Sequence, residues 1–293
     1  MNLSASIPIY EHIARIEETS GCTIGVHAVS DEVGAPVVAH HAERLFAAAS
    51  IMKLFVAYAI CKEYAGCMDT LTVPITPLEH RPGMGVLANI SAGNYPLRDV
   101  LFFLLAHSDN TAHCALERFA GTECIAHHIE HVTQHTTTYV PYSRTNGTNQ
   151  SMTTPHAVTA LLRRMWSGEL LNPPERDIFL GALAKSSSTY FGLRNLPCAL
   201  NTQQPDILAH YSKSGKLRDT IADAMILRTH KHTLYVYIVL DGYHTTMYGN
   251  SVDHGGILHL ADLAVSIYHT LTHLETAQCA CGSIHDQDAT VGV

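Results

Sequence analysis

The chain is short of charge. Only 15% of its 293 residues are Asp, Glu, Lys or Arg, and 18 basic residues face 26 acidic ones. A net charge of −8 argues against a nucleic-acid-binding surface as the main function. Long apolar runs are also missing. The longest, such as Leu54–Cys61 and Leu234–Leu240, fall far short of the roughly 20 residues that a membrane helix needs, so no membrane span is expected. Residues Met1 to Tyr10 carry neither a basic stretch nor an apolar core, and therefore no signal peptide. The expected localisation is cytoplasmic if Met1 is the native start, and periplasmic or secreted if a leader preceded it. No His-Glu-x-x-His helix occurs, nor a Cys-x-x-Cys pair with a matching histidine pair. The eight cysteines are scattered and read as free thiols, and no metal or other cofactor is expected.

Apolar residues and histidines are plentiful. The apolar fraction is 46%, enough for a large core. There are 21 histidines, densest at His127-His128-Ile-Glu-His131. Their spacing matches no metal motif, so they are expected to be mostly exposed and to make the net charge steeply pH-dependent.

Ile9, Ile13 and Ile16 recur at helical spacing, giving a helix over Ile9–Glu18. Cys22–Ser30 and Pro36–Ala42 read as two strands of a hairpin around Asp31-Glu-Val-Gly34. Helical patterns then follow over Ile51–Tyr64, Leu97–Ala106, Asn110–Phe119, Pro155–Trp166 and Pro173–Ala184. Strands return at Ile207–Ser212, Thr220–Arg228 and Leu234–Leu240, and a helix over about 257–274 closes the chain. This order predicts an α/β fold interrupted by an all-helical insertion. Residues 1–48 and 201–275 form a discontinuous sheet domain, 49–200 a helical domain and 276–293 a flexible tail. A small-molecule site is expected in the cleft between the lobes.

Three short motifs carry the chemistry. Ser50-Ile-Met-Lys53 opens a helix, with both polar side chains one turn apart on the same face. Alone it is as easily a capping serine followed by a surface lysine. However, Ile51, Met52, Leu54, Phe55, Val56 and Ala57 make that helix apolar nearly all round. A lysine there is desolvated, which lowers its pKa and makes it a usable base for a neighbouring hydroxyl. Ser108-Asp109-Asn110 lies between two helices, where such residues also serve as ordinary caps. Lys213-Ser214-Gly215 is expected at the end of a strand, as a turn glycine after a solvated lysine would be.

Taken together, Ser-x-x-Lys, Ser-Asp-Asn and Lys-Ser/Thr-Gly, 58 and 105 residues apart in that order, resemble the signature set of the class A β-lactamases and penicillin-binding proteins. Thr153–Leu162 followed by Ser167–Leu171 resembles that family's helix after the omega loop, and Leu234–Leu240 its last strand. The resemblance implies an antiparallel sheet flanked by helices, with a helical lobe. It also implies a small-molecule partner, a β-lactam or a peptidoglycan-like compound. Ser50 is then the acylated nucleophile, Lys53 its base or proton relay and Ser108 the shuttle to the leaving nitrogen. Asn110 orients Lys53 and substrate, while Lys213, Ser214 and Gly215 bind substrate. The backbone N–H of Ser50 and of Lys216 form the oxyanion hole.

Two departures qualify the resemblance. Class A enzymes carry an omega-loop Glu that prepares the deacylating water, yet His131 to Gly168 contains no Asp or Glu. The family's arginine after the Lys-Ser/Thr-Gly motif is also missing, with Arg218 or Arg228 as substitutes. Acylation is thus expected to be intact and deacylation impaired, with His135, His156 or neutral Lys53 as fallback bases. The expected activity is a serine hydrolase acting on cyclic amide C–N bonds. The alternatives are a penicillin-binding D-Ala-D-Ala-type peptidase, a protein that traps β-lactams, and a scaffold without chemistry.

Overall fold

The computed structural model describes residues 8–32, 35–145, 149–243 and 254–282. In chain order the helices are α1 (Ile9–Ser20), α2 (Met52–Glu63), α3 (Leu97–Ala106), α4 (Asn110–Ala120), α5 (Thr122–Thr133), α6 (Pro155–Trp166), α7 (Pro173–Leu183) and α8 (Gly255–Gly282). The strands are β1 (Thr23–Ser30), β2 (Val38–His40), β3 (Phe46–Ala47), β4 (Thr72–Ile75), β5 (Gly93–Pro96), β6 (Met152–Thr153), β7 (Ile207–Lys216), β8 (Thr220–Thr229) and β9 (Thr233–Asp241). Five of these form an antiparallel sheet in the order β2-β1-β9-β8-β7.

Side-chain alternation divides that sheet between two cores. From β8 and β9, Ile221, Met225, Leu227, Leu234, Val236, Ile238 and Leu240 pack with α1 and α8. The intervening Ala222, Ala224, Ile226, Tyr235, Tyr237 and Val239 face the other way, into the apolar residues of the helical segment. Both faces of β8 and β9 are therefore covered, which explains their nearly unbroken apolar sequences. This is the α/β arrangement with a helical lobe that the element order predicts.

At the centre of the lobe lies α2, with Met52 through Cys61 all buried. Its lack of a polar face follows from this position, surrounded by other helices and the sheet. Four features differ from the sequence expectation. Helix α5 and the β4–β5 hairpin were not anticipated, although Ile125, Ile129 and Val132 of α5 do form a buried stripe. Strand β7 runs through Lys213-Ser214-Gly215 to Lys216, so the motif lies within the strand. Helix α8 continues through Gly282, so residues 276–282 are helical, and the rest of the expected tail lies outside the described residues. The final two residues of Asp31–Gly34 lie outside them as well.

The histidines depart from expectation too. His27, His113 and His254 are buried and most others are half-buried; only His41, His127, His131, His135, His156 and His230 are exposed among the described residues. An imidazole is apolar enough to pack along a helix or strand once one nitrogen is satisfied, as His27 Nδ1 is by Thr159 Oγ1 at 2.5 Å.

Candidate active site

Ser50 lies in a tight turn, Ala49–Ile51, just before α2 begins at Met52. The turn is held from two sides. Ala48 N–H donates to Ser151 O at 2.8 Å, and Gly215 of β7 presses against Ala49 and Ile51. A Cβ at Gly215 would lie 3.1–3.2 Å from those residues, so glycine permits this close approach. Ala49 itself has φ 49°, a left-handed conformation that an L-residue adopts at a cost of about 1–3 kcal/mol. Ser108 has φ 53° and is the second such residue in the site. Strain concentrated beside a candidate nucleophile fits a site held rigid by its surroundings.

Lys53, one turn along α2, is 1% exposed. Its Nζ lies 2.6 Å from Ser108 O, 2.8 Å from Asn110 Oδ1, 3.2 Å from Ser50 Oγ and 3.3 Å from Ser108 Oγ. Burial and the nearby charge of Lys213 hold its pKa well below that of a free lysine, against the opposing pull of Asp109 and Cys114. The two shortest contacts go to oxygens that can only accept. A neutral amine satisfies both with its two hydrogens and keeps a lone pair for the Ser50 hydroxyl.

Lys213, also buried, donates to Ser108 Oγ at 2.8 Å and to Ser214 O at 2.7 Å. Burial pushes it down to about 7, with Asp223 pulling the other way. Asp223, opposite Ser214 on β8, is raised to about 7 by its own burial and accepts from Gly192 N–H at 2.9 Å. The Ser108 hydroxyl thus stands between two amines, as a proton relay requires. Asp109 has a different task. One oxygen caps α4 through Ala112 N–H at 2.8 Å, and the other accepts from Val86 and Leu87 N–H at 2.6 and 2.8 Å. It fixes the loop that brings Met84 to the site.

Two cavities meet at Ser50. One, of about 320 Å³, is lined by Ser108, Ser188, Tyr190, Ser214 and Lys216 among others. The second, of about 470 Å³, includes Lys53, Asn110, His113, Tyr142, Thr145 and Arg218. Their described linings contain no Asp or Glu. All the residues expected from the motifs are brought together here: Ser50, Lys53, Ser108, Asn110, Lys213, Ser214, Gly215 and Lys216. Of the two candidate arginines, Arg218 lines the cavity, whereas Arg228 is at the opposite end of β8.

His135 and His156 are set aside as bases. Both line a separate cavity with Glu130, His131 and Arg164, and His156 Nδ1 is 2.6 Å from Glu43. The imidazole that does line the Ser50 cavity is His113, which the sequence reading missed, along with its partner Glu117. Their i,i+4 spacing on α4 was the available signal. His113 Nε2 is 3.2 Å from Glu117 Oε1, and both ring nitrogens are shut off from solvent. Burial lowers the His113 pKa, with Glu117 opposing. Burial alone would raise the Glu117 carboxyl, but bonds from His113, Tyr139 and Tyr142 outweigh it and hold it below the usual range. Glu117 accepts from Tyr139 OH at 2.6 Å and Tyr142 N–H at 2.8 Å. A carboxylate therefore supports the 139–145 segment from below without reaching into the cavity. Residues 146–148, which follow it, lie outside those described.

A sequence model of the beta-lactamase enzyme family matches residues 8–271. The fold is similar to a beta-lactamase from Sphaerobacter thermophilus, with TM-score 0.76 at 20% identity over 88% of this chain and 95% of that one. A beta lactamase from Burkholderia vietnamiensis is similar at TM-score 0.76 and 21% identity, over 92% and 99% of the two chains. So is a mutant of PBP-A, at TM-score 0.72 and 17% identity, over 92% and 100%. No curated protein sequence matches the chain.

Proposed function

The chain belongs to the beta-lactamase enzyme family of serine hydrolases, and we propose that Ser50 is acylated by β-lactams or related amides and esters to give an adduct that hydrolyses slowly. The observation that carries this reading is the pairing of a buried, pKa-depressed Lys53 with Ser50 at 3.2 Å, in cavities whose described linings hold no carboxylate.

In the first half-reaction Lys53 takes the proton from Ser50 Oγ, which attacks the carbonyl carbon. The oxyanion is met by the backbone N–H of Ser50 and of Lys216. As the C–N bond breaks, the leaving nitrogen takes a proton from Ser108 Oγ, which recovers one from Lys53. Lys213 and Ser214 hold the substrate carboxylate, with Arg218 at the cavity rim.

The second half-reaction needs a base for water, typically worth about 10²–10⁴-fold. Glu117 is engaged with the loop and the His113 nitrogens are enclosed, which leaves Lys53 as the base in contact with Ser50 among the described residues. The structurally similar PBP-A mutant is described as an acyl-enzyme complex with penicillin G, consistent with a fold of this kind holding such an adduct. The same absence of a carboxylate favours, as a second reading, a penicillin-binding peptidase whose acyl group is passed to an acceptor other than water. Labelling with a fluorescent penicillin tests the first half. Ser50→Ala is expected to abolish it, and persistent labelling would move the nucleophile elsewhere.

A further inference from the structure

We propose that Glu63, Cys124 and His128 bind a divalent transition-metal ion, with zinc the best match to the donor set. This goes beyond the hydrolase reading and does not depend on it. Glu63 is the last residue of α2; Cys124 and His128, four apart, share one face of α5. His128 Nε2 is 3.0 Å from Glu63 Oε2. One donor atom from each residue lies within 4.8 Å of the other two. Donors at about 2.0–2.3 Å from a tetrahedral zinc stand somewhat closer together than that, within reach of small side-chain rotations. Three protein donors leave a fourth position for water.

Helix electrostatics argue that something positive belongs here. Glu63 places a carboxylate at the C-terminal end of α2, where the helix dipole disfavours negative charge. A dication neutralises Glu63 and takes Cys124 as thiolate, with loss of one proton to solvent. Thiolate and imidazole select against magnesium and calcium, which prefer oxygen. Among the described residues Glu17, His40 and His41 form the other three-donor cluster, but it has no thiol, and the carboxylate oxygen near His40 already accepts from Ile24 N–H at 2.8 Å. Helix α2 separates Glu63 from the Ser50 turn by roughly 18 Å at 1.5 Å per residue, so the ion would clamp α2 to α5 without touching the reaction.

The test is cobalt titration of the reduced, chelator-treated full-length chain. One equivalent is expected to give tetrahedral visible bands and a thiolate-to-cobalt charge-transfer band, lost in Cys124→Ser and weakened in His128→Gln. As a check that needs no variant, zinc is expected to protect Cys124 from alkylation in the wild type, mapped by peptide mass. Absence of the charge-transfer band, its persistence in Cys124→Ser, or unprotected Cys124 would overturn the proposal.

Discussion

Tyr139 donates its phenolic proton to Glu117 Oε1 at 2.6 Å, and through that bond a carboxylate on α4 holds the segment bordering the Ser50 cavity. Glu117→Ala is therefore expected to leave Tyr139 OH and Tyr142 N–H unsatisfied, at a cost of about 3 kcal/mol for the two. Urea unfolding checks this, and a change under ~0.5 kcal/mol would mean that the segment is held by other contacts.

Lys53→Met keeps the apolar stem but removes the amine. Acylation is expected to slow by on the order of 10²–10⁴-fold, with an unchanged circular dichroism spectrum. Stopped-flow measurement with a chromogenic cephalosporin gives the rate, and an unaltered value would remove Lys53 from the mechanism.

Thr145 borders the same cavity as Ser50 and Lys53, in the segment that has no acid of its own. Thr145→Glu is expected to speed loss of the adduct by on the order of 10²-fold while leaving acylation unchanged. Decay followed by mass would show no acceleration if this position does not address the acyl carbon.

The site motifs were legible because they depend on local signals. Ser50 and Lys53 are one turn apart in an apolar run, and Ser108-Asp109-Asn110 ends at a capped helix whose Asp109 accepts from Ala112 N–H. What escaped depends on contacts between distant segments. Glu117 meets Tyr139 22 residues later, and Glu63 meets Cys124 and His128 only because α2 packs on α5. The extent of β7 was missed because its last residues are polar yet turned inward, where Lys213 finds Ser108. Helix α5 was hidden by its many histidines, which interrupt the apolar stripe Ile125, Ile129, Val132.

Acid is expected to weaken the fold through its buried histidines. Burial, reinforced by His156, lowers His27 from 6.5 to about 4, and His113 and His254 shift the same way by burial. Between those limits the unfolded chain binds protons that the folded chain refuses. Their contribution to stability therefore rises with pH through this window and is lost as pH drops from about 6.5 towards 4, while Asp223, raised to about 7 by burial, works in the opposite direction. Denaturation midpoints across that range provide the measurement, and His27→Gln is expected to flatten the slope. A slope unchanged by the variant would take His27 out of the account.

An ester at Ser50 that forms readily and breaks slowly is the core of the proposed chemistry. Intact-protein mass after mixing with penicillin, beside turnover of a chromogenic cephalosporin, measures both directly. The expected result is a stoichiometric adduct, mapped to Ser50, that outlasts an initial burst of product. Fast steady-state hydrolysis with neither burst nor adduct would contradict it, as would the absence of both adduct and product.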